Sequence, residues 1–323
     1  MSRSWLIGLI AFALGAGTAA AQAPQKPAAP EPPTQEPSAA ASPVGSPQDP
    51  PTTTVDDVVV IGGELEKLAE KFVTNLAAPA RRRGLARWTG EVCIGVLNFR
   101  SEVAHLIIDR FSDVARELGI ELGEPGCDPN LVIVGTADGT QLARDMVRRY
   151  RSNFFRYGYT TSNPGTAALG VFQTSEAPVR WWHVSLPVVV STGASAIRLP
   201  GGDPVENPCR RPSGTWVANC DKVTDRMMRM ITIVDIDGIE GVGLAPLADY
   251  LTLVALAQIE ADTDFSEFDT VLNLFNPDRT VSGLTNWDMI YLRALYSAEA
   301  EHISAREQAR RMAPELREAR ADD

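Results

Sequence analysis

The stretch that decides the fold reads Met230-Ile-Thr-Ile-Val-Asp235, Ile236-Asp-Gly-Ile-Glu-Gly-Val-Gly243 and Leu244-Ala-Pro-Leu-Ala-Asp-Tyr-Leu-Thr-Leu-Val-Ala-Leu-Ala-Gln-Ile259. The first part is a short apolar run with β-branched residues, which predicts a buried strand. The glycine-rich second part predicts a turn. The third part is apolar on nearly every side, as in a buried helix. A buried strand that leads into a central helix indicates a sheet covered by helices.

Two further strand–helix pairs precede this stretch. Residues 92–97 and 101–118 form the first pair, and residues 131–134 and 140–151 form the second. Continuous apolar strands that alternate with helices are typical of parallel pairing beneath helical layers. We therefore expect an α+β fold with a mixed, partly parallel sheet packed with helices.

The segments around these pairs predict the rest of the domain. Residues 152–177 are rich in Gly, Thr, Ser and aromatic residues, which predicts a long irregular loop and a candidate binding element. Residues 179–190 predict one long strand, which Pro187 places at a sheet edge or a bulge. Residues 286–297 predict a buried helix with Thr285 as its N-cap.

The N-terminus carries the features of a secretory signal. Arg3 precedes an apolar run at 5–16, and Ala19-Ala-Ala21 offers small residues for cleavage before Gln22. Cleavage after Ala23 and an uncleaved anchor are the alternatives. We expect a periplasmic or secreted protein with no integral membrane segment after cleavage.

Composition divides the chain into four parts. Residues 1–21 are the signal peptide, and residues 22–54 form a Pro/Ala-rich linker that we expect to be disordered. Residues 55–298 form the predicted folded domain, and residues 299–323 a charged C-terminal helix or tail. The chain has 41 acidic against 30 basic residues and a formal charge of −11, which disfavours nucleic acid as a partner. An envelope protein or a cell-wall component is the expected partner.

The four cysteines all follow the predicted signal. An even number in an oxidising compartment predicts two disulfides, with three possible connectivities. We favour Cys93–Cys127, from a strand to the turn before the next strand, and Cys209–Cys220, across a Pro/Gly-rich loop. Zinc ligation by the four cysteines is the competing reading, and the absence of a Cys-x-x-Cys pair disfavours it.

Three consecutive segments carry a resemblance to a known family: 247–259, 268–275 and 283–296, the last with Leu284-Thr-Asn-Trp-Asp288 and Leu292-Arg-Ala-Leu-Tyr296. Together they resemble an exported bacterial family of unknown function related to zincin-like metalloprotease folds. The resemblance implies a zincin-like fold whose metal motif is degenerate. Asp249 and Tyr250 stand where the first His and the Glu of His-Glu-x-x-His would lie, and Leu253 replaces the second His. Because leucine cannot bind zinc, the resemblance implies neither metal nor cofactor.

Few side chains remain as candidates for catalysis. Asp249, on the apolar helix, and His183, in the predicted edge strand, are the weak candidates for acid–base work. A structural role is the favoured interpretation for each. The acidic residues 262, 264, 267 and 269 lack the spacing of an EF-hand, which leaves ordinary loop solvation or an irregular calcium site.

These observations predict a non-catalytic exported envelope protein with a binding or structural role. The alternative is a metal-independent hydrolase acting on envelope peptide or glycan, with Asp249 and His183 as its acid–base groups. Either protein would be a zincin-like domain, and the first would be a pseudoenzyme.

Overall fold

The structure is a computed structural model that describes residues 67–73, 75–76, 85–154, 165–189, 191–193, 223–261, 263–297 and 314. All of them belong to one compact unit, residues 53–323. The predicted signal peptide, the Pro/Ala-rich linker and nearly all of the charged tail lie outside the described residues. Among those residues, no helix is long and apolar enough to cross a membrane.

The described elements comprise four strands and a series of helices. The strands are β1 (Ile94–Leu97), β2 (Leu131–Thr136), β3 (Val179–Val189) and β4 (Val223–Asp235). The helices are α1 (67–73 and 75–76), α2 (Ser101–Glu117), α3 (Gly139–Arg149), α4 (Arg151–Phe154), α5 (Gly165–Thr174), α6 (Leu244–Leu256) and α7 (Asn286–Tyr296). Short 3-10 helices span Asp237–Ile239 and Val271–Phe275.

The four strands form one mixed sheet in the order β1-β2-β4-β3. β1, β2 and β4 run parallel, and β3 pairs antiparallel with β4 at the edge. The predicted α+β fold with a partly parallel sheet is therefore confirmed. The edge position predicted from Pro187 is also confirmed, and a register shift lies just before it, between Val184 and Ser185.

Helices cover both faces of the sheet. Successive strand residues point to opposite faces, so Trp181 packs in the cluster that contains α6 and Trp182 packs beside Leu169 and Phe172 of α5. Helix α6 has no solvent-facing side over most of its length, because every residue from Leu247 to Leu256 is buried. The decisive stretch thus forms the centre of the larger core, as its composition predicts.

One helix was missed in the sequence, and two predicted element boundaries were wrong. Helix α5 lies within the segment predicted as irregular, because Leu169 and Phe172, three residues apart, bury one face of it. Strand β4 begins at Val223, seven residues before Met230, because it pairs with β3 along its whole length. Helix α6 ends at Leu256 rather than Ile259, since Ala257 adopts an extended conformation.

One predicted disulfide is present. Cys93 and Cys127 are bonded, with their Cα atoms 6.0 Å apart, and they link the start of β1 to the loop before β2. The bond closes a loop in the part of the sheet farthest from β3. The proposed Cys209–Cys220 pair lies outside the described residues.

Candidate functional site

His183 is held as a neutral, buried side chain. Its Nε2 lies 2.9 Å from the carbonyl oxygen of Val254 in α6, and its side chain is 2% exposed. A carbonyl only accepts hydrogen bonds, so Nε2 carries the proton. Burial lowers the pKa of His183 from 6.5 to about 4. The imidazole is therefore uncharged at neutral pH and serves as a donor to the helix.

This bond belongs to a set that completes the C-terminal end of α6. The last four carbonyls of a helix have no partner within the helix. Here the Leu253 carbonyl accepts from the Ala257 amide at 3.0 Å, and the other three accept from side chains. The three side-chain donors are His183 to Val254, Trp88 Nε1 to Ala255 at 2.8 Å and the Tyr296 hydroxyl to Leu256 at 2.7 Å. Because this end of the helix is buried, carbonyls without a hydrogen-bond partner would destabilise the fold, and the three side-chain donors prevent this.

Asp249 is also engaged in structural contacts. One carboxylate oxygen forms an ion pair with Arg110 of α2, and the other accepts the amide of Leu284 at 2.9 Å. A side chain at Gly283 would collide with this second oxygen. Asp249 thus ties α6 to α2 and to the loop before α7. His183 bonds to none of these groups, so the two candidate acid–base residues do not form a catalytic pair.

At the positions aligned with a zinc motif, the Asp249 carboxylate is engaged by Arg110 and the Leu284 amide, and Leu253 offers no metal ligand. Leu253 is fully buried among apolar residues, and Tyr250 packs against Trp181 and Phe275. Within the described ranges, no group of three or more His, Cys, Asp or Glu side chains could hold a metal ion. His105 lies exposed on α2.

The acidic segment after α6 is used for local structure where it is described. Asp264 accepts the amide of Ser266 at 2.9 Å, and Glu267 forms an ion pair with Lys71. Asp262 lies outside the described residues. These contacts agree with the loop-solvation reading of the sequence.

A cavity of about 310 Å³ lies against the edge strand β3. Five consecutive residues of β3, from Val179 to His183, line it. Because alternate side chains of a strand point to opposite faces, five neighbours can share one cavity only if it opens along the strand edge. Phe172 of α5 contributes to one wall, and Phe265 and Phe275 contribute to the other.

Tyr250 brings a hydroxyl without a partner to this cavity. Its ring packs edge-on against Trp181 and Phe275, and the side chain is 6% exposed. Among the described residues, nothing forms a hydrogen bond with its hydroxyl. Burial raises the pKa of Tyr250, so the hydroxyl stays protonated and can both donate and accept.

Arg180 supplies a buried cation on the opposite face of β3. Its guanidinium donates to the Thr140 hydroxyl at 3.2 Å near the start of α3. Burial lowers the pKa of Arg180, while the charges of Asp235 and Asp138 raise it. Among the described residues, its Nε finds no hydrogen-bond partner. This cation is directed toward the carboxylates at the ends of β2 and β4.

The sequence favoured a structural role for His183 but indicated neither its partner, the Val254 carbonyl, nor the cavity beside it. The walls come from residues 168–183, from Tyr250 and from residues 259–276, and no local pattern joins these segments. The one available signal was the proline-containing edge strand with its aromatic pair, Trp181 and Trp182, which indicated a sheet edge beside large side chains.

No protein-family model, no curated protein and no solved structure matches this chain. The resemblance to an exported zincin-like family stays a prediction.

Proposed function

We propose that this chain is an exported, non-catalytic binding protein of the cell envelope that holds its ligand in the cavity along β3. The single observation that carries the proposal is a cavity on the sheet edge with aromatic walls and an unpartnered tyrosine hydroxyl. Cavities of a few hundred Å³ with apolar walls and a few polar groups are typical of small-ligand sites.

A binding role fits the polar groups better than catalysis does. His183 and Asp249 are the candidate acid–base residues, and both are committed to hydrogen bonds that complete helix ends and tertiary contacts. A general base must lie within hydrogen-bond distance of the proton that it removes. It must also have a lone pair that the substrate can reach and a pKa near the working pH. The lowered pKa of His183 makes it a poor base at neutral pH.

Export places the proposed ligand in the envelope. The signal features at 1–21 predict passage into the periplasm or beyond. The Cys93–Cys127 disulfide supports an oxidising compartment, since such bonds are rare where thiols are kept reduced. Peptides and glycans of the cell wall and exposed segments of envelope proteins are the ligands to test.

A pair of neighbouring alanines on α5 gives a matched test of the cavity. Ala168 lines the cavity, whereas Ala167 is exposed and does not. We expect Ala168→Phe to fill the cavity and abolish binding of the envelope ligand, while Ala167→Phe binds as the wild type does. Isothermal titration with synthetic cell-wall stem peptides, muropeptides and glycan strands would measure both. Equal binding by the two variants would place the site elsewhere.

The alternative function, a metal-independent hydrolase, makes an opposite prediction. Hydrolysis of peptidoglycan fragments by the wild type, lost in both Asp249→Asn and His183→Gln, would establish it. The binding proposal expects no turnover in any of the three proteins.

A further inference from the structure

We propose that the ligand is an extended peptide with a basic side chain, which adds to the sheet alongside β3 at Val179–His183. This inference rests on the proposed function and names the ligand class of the same cavity. Addition of a strand to a sheet edge is a general mode of peptide recognition, in which main-chain hydrogen bonds provide affinity and side-chain pockets provide specificity.

The pairing of β3 with β4 fixes which backbone groups face the cavity. The Asp235 amide donates to the Pro178 carbonyl at 2.8 Å, which makes residues 178 and 235 a hydrogen-bonded pair. In an antiparallel ladder such pairs alternate along the strand. The register therefore directs the backbone of Arg180 and Trp182 toward β4, and that of Val179, Trp181 and His183 away from it.

These outward groups are the recognition element. Within the described part of the chain, no hydrogen bond reaches the outward N–H and C=O groups of Val179, Trp181 or His183. The three residues span five strand positions, or about 13 Å, which is enough to pair with a peptide of roughly five residues. Unpaired backbone groups beside a cavity are a template for another strand.

The cavity walls would receive the side chains of an added strand. A strand that continues the sheet projects alternate side chains toward each helical layer. One set would meet Phe172 of α5, and the other would meet Tyr250 and Phe275. The unpartnered Tyr250 hydroxyl can bond to a polar side chain of the second set.

Charge decides which peptide fits. Glu260 and Asp264 line the cavity and are exposed. Among the described lining residues, Arg180 is the permanent cation, and its guanidinium bonds to Thr140 instead. The accessible charge is therefore negative, which favours a peptide that carries lysine or arginine.

The test uses unstructured hexapeptides of apolar residues with a central lysine, and a matched set with central glutamate. Titration into the 15N-labelled full chain would report affinity and amide exchange. We expect the lysine set to bind more tightly and to slow exchange at the amides of Val179, Trp181 and His183. N-methylation of alternate peptide amides should weaken binding about tenfold, and methylation of the intervening amides should not.

Charge variants provide the second arm. Glu260→Gln combined with Asp264→Asn should weaken lysine-peptide binding about fivefold, because two exposed attractions are lost. Glu124→Gln, on an exposed loop by the disulfide, is the matched control and should have no effect.

Each result separates this inference from the proposed function. Peptide binding without protection of the three amides, or with equal sensitivity to every N-methyl group, would overturn strand addition and leave the binding proposal standing. Glycan strands that bind in the cavity when hexapeptides do not would overturn the peptide class alone. Failure of hexapeptides, stem peptides, muropeptides and glycan strands alike would overturn both.

Discussion

The C-terminal end of α6 and the outer edge of β3 treat their backbone polar groups in opposite ways. At α6 each of the last four carbonyls accepts a hydrogen bond, three of them from side chains of distant elements. At β3 the outward groups of Val179, Trp181 and His183 meet no partner within the described residues and face a cavity. His183 contributes to both regions, through its ring at α6 and its backbone at β3. A polar side chain is therefore not catalytic merely because it lies beside a cavity, since its hydrogen-bond partners determine its role.

The largest expected effect concerns the pH dependence of stability at the satisfied helix ends. His183 of β3, whose ring bonds to the end of α6, has its pKa lowered to about 4, so the stability that its neutral ring contributes is lost as pH falls from 6.5 through 4. Asp288, at the start of α7, has its pKa raised by burial from 3.8 to about 6, against four hydrogen bonds that lower it. The stability that protonated Asp288 contributes to the fold is fully present below pH 3.8 and is lost as pH rises through 6.

The pKa shifts of His183 and Asp288 each correspond to about 3 kcal/mol in the free energy of unfolding. As pH rises from 4 to 6, the His183 shift increases stability and the Asp288 shift decreases it. Relative to the wild type, His183→Gln should therefore lose stability as pH rises through this window, and Asp288→Asn should gain it. Urea denaturation at half-unit pH intervals would measure both trends. If the stability of His183→Gln depended on pH as that of the wild type does, the imidazole would not be kept neutral by its contact with α6.

The second effect concerns the hydrogen bonds of the Tyr296 hydroxyl at the end of α6. Tyr296→Phe removes the donor to the Leu256 carbonyl and the acceptor of the Trp88 amide at 3.3 Å, and we expect a loss of about 1–3 kcal/mol in the free energy of unfolding. Tyr291→Phe is the control: the Tyr291 hydroxyl is buried and has no hydrogen-bond partner in the part of the chain that the structure describes, so its removal should be neutral or stabilising. Equal losses from both variants would mean that packing, and not hydrogen bonding, maintains this end of the helix.

The smallest effect on stability is expected at the cavity. Tyr250→Phe removes a hydroxyl that has no partner among the described residues, so the free energy of unfolding should change by less than about 0.5 kcal/mol. Binding of a cavity ligand should weaken nonetheless. A loss of stability comparable to that of Tyr296→Phe would show that the hydroxyl already has a structural role.

The features that the sequence predicted are those set by local pattern. The apolar run at Met230–Asp235 and the all-round apolar helix that follows have no polar face, so burial in the centre of the fold was the physical consequence. Pro187 lacks an amide to donate, which restricted its strand to an edge or a bulge. The Cys93–Cys127 bond followed from an even cysteine count and from the strand–turn placement.

The missed features depend on contacts between distant residues. His183 and Val254 are 71 residues apart, so no spacing rule joins the imidazole to the end of α6. Helix α5 was hidden because its glycine and threonine residues outnumber the two apolar residues that anchor it. The cavity could not be predicted from local sequence either, because it forms where three separate segments meet the edge of β3.

Amide hydrogen exchange in the uncomplexed protein reports which backbone amides of β3 are hydrogen-bonded, and so whether its outer edge is free to pair with a ligand. We expect the amides of Val179, Trp181 and His183 to exchange at least about tenfold faster than those of Arg180 and Trp182, which donate to β4. Equally slow exchange at all five positions would show that the edge is already paired, and the cavity could not then be the place where a ligand binds.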